Sequence, residues 1–206
     1  MNEYFTVKKQ VRTETIIERS RFITSVKRVD SEEEAKAFLD GVKKIYPDAT
    51  HNCYAYITER GAYSRYSDDG EPAATAGPPI FDVIRNNSLV DTAIVVTRYF
   101  GGIKLGTGGL ARAYGGCAAS GIREAGIVKI CSAVFFSVKL NYTDGGVFRK
   151  LYSDDLKVVS TDYADGVIIR CCVKKSAYNA FKRDFRDLYS GRYEISEECE
   201  DFAEFL

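Results

Sequence analysis

Residues 101–126, GGIKLGTGGLARAYGGCAASGIREAG, hold nine of the 17 glycines in the chain, and no other stretch restricts the fold as much. Leu110, Tyr114, Cys117, Ala118, Gly121, Ile122 and Ala125 lie close to one helical stripe. The second part of the segment therefore reads as a helix, and GGIKLGTGG as the loop that opens it. Glycine costs about 1 kcal/mol relative to alanine inside a helix. Glycines on this helix need a compensating reason, and close approach of its backbone to a sheet is the one expected. The loop matters for a different reason. A glycine-rich helix entry leaves backbone N–H groups bare at the positive end of the helix dipole, where phosphate or carboxylate binds readily.

The charge around this segment has one sign. Between Arg85 and Lys129 there are six basic and two acidic residues. Arg98 ends the preceding strand, Lys104 and Arg112 flank the glycines, and Tyr99, Phe100 and Tyr114 offer planar faces on which a base could stack. The candidate binding set is Arg98, Tyr99, Gly101, Gly102, Lys104, Gly106, Thr107, Gly108, Gly109, Arg112 and Tyr114. Such a set suits an RNA backbone and equally a small phosphate-bearing ligand. Tight packing and sharp turns would also account for the glycines. The spacing is neither a Walker A loop nor a Rossmann fingerprint.

Ser67-Asp68-Asp69-Gly70-Glu71-Pro72 gathers three carboxylates. If the protein is an enzyme, Asp68, Asp69 and Glu71 are the residues that would hold Mg²⁺ or activate water. Asp-Asp-Gly is also strong turn chemistry. His51 is the sole histidine, and it reads as a strand hydrogen-bonder rather than a base. None of the six cysteines forms a CxxC pair, so neither a zinc site nor a disulfide scaffold is expected. Most of them read as small buried hydrophobes. No cofactor or metal is expected.

Along the chain, residues 4–29 alternate as strands, and Ser31 with Glu34 makes a capping box for a helix carrying Ala35, Phe38, Leu39, Val42 and Tyr46 on one face. His51–Ile57 reads as a strand, residues 59–79 as a long polar loop, and Pro78-Pro79 as the first turn of a helix to about Arg85. Asp91–Arg98 reads as a buried strand. Beyond it, Val134–Leu140, Asp144–Ser153, Lys157–Tyr163, Val167–Val173, a helix capped by Ser176 with Ala177, Phe181, Phe185 and Leu188 inward, and Arg192–Cys199 follow one another. The order β-α-β-β-α-β is that of a ferredoxin-like domain. Two domains are expected, 1–132 and 133–206.

The 29 basic and 29 acidic residues give a net charge of +0, but the last residues, EISEECEDFAEFL, carry six acidic side chains and no basic one. They read as a solvated final strand, or as a tail that folds back on a basic surface. The N-terminus carries no apolar segment and no run of about 18 apolar residues occurs, so a cytoplasmic protein without a membrane partner is expected.

SDDGEPAATAGPPI followed by VVTRYFGGIKLGTGGLARAY resembles the signature of the IMPACT family in its bacterial two-domain type, and HNCYAY at 51–56 and Ser20-Arg21-Phe22 fit it as well. The resemblance implies an α+β protein: a ribosomal protein S5 domain 2-like domain, with helices on one sheet face, followed by a ferredoxin-like domain similar to the last domain of elongation factor G. It also implies a translation-associated regulatory role. Eukaryotic relatives bind a stress-kinase activator through an RWD domain, which is not legible in these residues. The function expected is binding of RNA or the ribosome through the glycine-rich basic loop. The alternatives are a Mg-dependent enzyme acting on phosphates of nucleotides or RNA, and a protein–protein interaction module.

Overall fold

The computed structural model describes residues 2–153 and 155–205. The chain forms two compact units, Tyr4–Val128 and Lys129–Leu206, the latter joined by Met1–Glu3. The division falls earlier than the expected 132/133. No composition change marks it, because one continuous strand runs through it.

The first unit contains β1 (Glu3–Val7), β2 (Val11–Ile17), β3 (Ser20–Arg28), α1 (Glu32–Ile45), β4 (His51–Thr58), a 3-10 turn (Glu59–Gly61), β5 (Tyr63–Ser67), α2 (Gly77–Asn86), β6 (Thr92–Tyr99) and α3 (Gly106–Ala125). Its sheet has the order β2-β3-β6-β4-β5, and all its pairs are antiparallel. Alternation sorts its side chains. Phe22, Val26, Cys53, Ala55, Ile94 and Val96 pack with Ile80 and Ile84 of α2 and with Leu110, Tyr114, Cys117 and Ile122 of α3 in the main core. Tyr56 and Ala93, on the other face, pack with Ala35 of α1. Helices therefore cover both faces, where the family resemblance led us to expect one.

Local causes are legible. Ser31 Oγ accepts the Glu34 N–H at the start of α1, and the Glu34 carboxylate accepts the amide of Asp30 rather than that of Ser31. In α3 the whole expected stripe is buried, with Ala113 added. Gly121 is there because a Cβ would come within 2.8 Å of Thr24 and Val26 side chains, so the helix lies directly on β3. The expected loop 59–79 contains β5, an edge strand. Its residues are exposed except Ser67, which is half-buried, so no alternation announced it.

The second unit is built on β7 (Ile127–Leu140), α4 (Tyr142–Leu151), β8 (Lys157–Tyr163), β9 (Val167–Lys174), α5 (Lys175–Leu188) and β10 (Ile195–Glu204). β7 pairs with β9 on one side and with β10 on the other, and β9 pairs with β8. That is the ferredoxin-like arrangement, β10-β7-β9-β8. Phe136, Phe148, Phe181 and Phe185 centre its core. Ser176 is not a cap: α5 begins at Lys175 and has no side-chain cap. Tyr178 is buried there, while Ala177 and Leu188 are exposed. The acidic tail is a paired strand, in which Glu200 meets Lys175 at 2.5 Å.

Candidate functional site

Arg98 ends the apolar side of β6 in register with Phe22 on β3 and His51 on β4. Its side chain points toward the helices, and it is 4% exposed. Desolvating a guanidinium costs several kcal/mol unless it is paired. Glu71, 8% exposed, supplies the pair: its Oε1 accepts from Arg98 Nη1 at 2.5 Å and from the Tyr114 hydroxyl at 2.8 Å. Arg98 Nη2 donates to Ser20 Oγ, and its guanidinium lies 5.4 Å from the ring centres of both Phe22 and Phe100. Nε has no partner.

The rest of the acidic motif braces this centre. Asp68 Oδ1 accepts the amides of Ala76 and Gly77, and Oδ2 that of Ala74, so this carboxylate caps α2. Burial raises its pKa, but the backbone amides outweigh burial and hold it below the usual carboxylate value. Asp69 Oδ2 accepts the Asn52 amide. The Asp69 carbonyl can only accept, so His51 Nδ1 donates to it at 2.8 Å. His51 Nε2 then stands 3.9 Å from Glu71 Oε2. The Cys53 thiol donates to the Asp68 carbonyl and is pushed up to about 12, chiefly by burial. Burial likewise pushes the Tyr114 phenol upward.

Two expectations are corrected here. Arg98 and Tyr114, read as ligand-facing, are buried and bound to Glu71. Asp68, Asp69 and Glu71, read as a possible Mg²⁺ set, each face different partners, and no His, Cys, Asp and Glu group among the described residues is arranged to hold a metal ion. Five cysteines are buried, and Cys199 is exposed.

The remaining candidates lie at the surface. Tyr99 is half-buried, its hydroxyl held by Asp48 at 2.8 Å. Gly101 rests against the hairpin tip of β2 and β3, where a Cβ would come 2.0 Å from the Arg19 carbonyl. Its amide donates to Ser20 Oγ. Gly102, Lys104, Gly106, Thr107, Gly108 and Arg112 are exposed, and Gly109 is half-buried. Gly106 has φ +69, in the left-handed region. Helix α3 starts with no side-chain cap and no acidic residue in its first turn. A methyl group at Gly108 or Gly116 would meet nothing within 4 Å, so packing does not explain those two glycines. Lys104 and Arg112 have no ion-pair partner among the described residues.

Two residues outside the candidate set join this surface. Arg19, exposed with φ 62, is brought beside Gly101, and it too has no partner among the described residues. Phe100 is 46% exposed, its amide fixed by Thr50 Oγ1. The sequence placed Phe100 as a planar face. It gave no sign of Arg19, whose Glu18-Arg19 turn lacks the usual glycine or asparagine.

Fold and site together define an α+β protein with a ribosomal protein S5 domain 2-like unit followed by a ferredoxin-like unit. Residues 18–122 match the Impact N-terminal domain. The chain is 39% identical over 199 residues to the IMPACT family member YvyE of Bacillus subtilis (strain 168), covering 96% of this chain and 92% of that one. It is 33% identical to the IMPACT family member YigZ of Escherichia coli (strain K12), over 87% of this chain and 90% of that one. A solved hypothetical protein, 31% identical, superimposes with a TM-score of 0.63 over 98% of this chain and 100% of its own. The chain belongs to the IMPACT family. No helix among the described residues is long and apolar enough to cross a membrane.

Proposed function

We propose that this protein binds RNA, as free strands or within the ribosome, through the entry to α3, and that it acts on translation in the cytoplasm. The observation that carries this reading is the bare first turn of α3. It is uncapped, free of acid and exposed at Gly106, Thr107 and Gly108. Lys104 just before it and Arg112 in the following turn have no partner among the described residues, and Arg19, also without one, lies beside Gly101 upstream. Backbone amides and the helix dipole favour a phosphate there, and the cations add a salt-sensitive attraction. The exposed ring of Phe100, backed by the Arg98 guanidinium, gives an unpaired base a face to stack on.

Gly108 and Gly116 support the same reading, since open space above a helix lets a ligand backbone approach closely. Membership of the IMPACT family supports a role in translation. The Mg-dependent alternative has less support, because the three carboxylates that would carry it are engaged by the fold. Ribosome co-sedimentation tests the proposal. Wild type is expected in the ribosomal pellet and Lys104→Ala/Arg112→Ala in the supernatant. Equal pelleting of both contradicts it, and pelleting that survives nuclease digestion of the RNA points to a protein partner instead.

A further inference from the structure

Helix α5 carries a second stripe beside its buried one. Asn179, Lys182, Arg183 and Arg186 recur at i, i+3, i+4 and i+7, which puts them on one flank. That flank faces the turn after the helix, and between them lies a groove of about 800 Å³, within the range of small-ligand sites. Phe185 contributes to its lining, and Tyr193 and Glu194 stand on the other wall. The Tyr193 hydroxyl is fixed to Asp144 Oδ2 at 2.6 Å, and the Arg192 guanidinium lies 5.7 Å from its ring centre.

Three cations thus line a concavity that holds one acid, Glu194. Arg183 and Arg186 are exposed and have no partner among the described residues. Cations near a helix C-terminus offset its dipole, and this accounts for Arg186, which lies in the last turn. It does not account for Lys182 and Arg183, because the effect falls off within that turn. Two guanidiniums on adjacent turns suit phosphate oxygens, which they contact in bidentate fashion. The half-buried Tyr193 ring adds a planar wall.

We propose that this groove is a phosphate-binding site for a nucleotide, taken either free or as part of an RNA strand. It lies in the second unit and does not rest on the reading of α3. The test uses the full chain with two probes, UMP and a fluorescently labelled oligouridylate, titrated into wild type, Arg183→Ala/Arg186→Ala and Glu194→Gln. Both sets of changes are on exposed side chains, so folding is not at stake. The arginine variant is expected to bind the affected probe about tenfold more weakly, and Glu194→Gln about threefold more tightly. Weakening with both probes marks a free nucleotide as sufficient, and weakening with the oligomer alone marks a strand.

The groove proposal is overturned if the wild type binds neither probe, or if the arginine variant binds both as the wild type does. The same titrations in a Lys104→Ala/Arg112→Ala background separate the two sites. Loss caused only by Lys104 and Arg112 removes the groove and leaves the α3 reading standing. Loss caused only by Arg183 and Arg186 does the reverse.

Discussion

Glu71 and Arg98, 27 positions apart in sequence, form an ion pair in which neither side chain is more than 5% exposed. Breaking a buried pair by removing one member costs about 3–5 kcal/mol, because the other charge is left without compensation. Arg98→Ala is therefore expected to lose that much in urea unfolding, and Glu71→Ala a similar amount. The double variant should lose clearly less than the two single losses added together. Single losses under about 1 kcal/mol would mean that the pair does not organise the centre.

The glycines of the signature divide into two kinds, and alanine scanning should separate them. At Gly101 a Cβ collides with the Arg19 backbone, so Gly101→Ala should destabilise by about 3 kcal/mol. At Gly108 nothing stands within 4 Å, so Gly108→Ala should stabilise the helix by about 1 kcal/mol. The same change should weaken RNA association if a strand lies on that turn. Thermal unfolding paired with an RNA titration checks both halves, and a Gly108→Ala protein that is more stable and binds unchanged would remove the glycine from the site.

Asp68 sets an acid limit on the fold. Burial opposes its charge, but the amides of Gly77, Ala76, Ala74 and Thr75 hold its pKa below the ordinary value in the folded state. A depressed folded pKa contributes stability that is fully present above the unfolded value, about 3.9, and is lost as pH falls through the folded value. Asp68→Asn should therefore be about 1–2 kcal/mol less stable than wild type at neutral pH. The gap should close as pH drops below about 4. Urea midpoints measured across that range decide it, and a gap that does not change with pH would assign the loss to shape rather than charge.

The residues differ in how much of this could be read in advance. The α3 stripe, the Ser31 Oγ cap on the Glu34 amide and strands β8 and β9 are local patterns with fixed periods or cap chemistry and appear as expected, although the Glu34 carboxylate turns to the Asp30 amide instead of closing the box on Ser31. Arg98 was misplaced because an arginine at a strand end looks solvent-facing until its partner is known. That partner, Glu71, sits in a loop that only the folded sheet brings near. Edge strand β5 was missed because its side chains are nearly all exposed. Ser176 has the residue type of a cap, but the helix starts one residue earlier, at Lys175. Arg19 reaches the surface beside Gly101 through a contact between distant segments, for which no local signal exists.

The direct test of the α3 site is the salt dependence of oligoribonucleotide binding by wild type and Lys104→Ala/Arg112→Ala. Each phosphate contact on a single strand contributes about 0.7 to the slope of log K against log salt. The account predicts weaker binding by the variant at low salt and a slope shallower by about 1.4. Identical affinities and identical slopes across the salt range would contradict it.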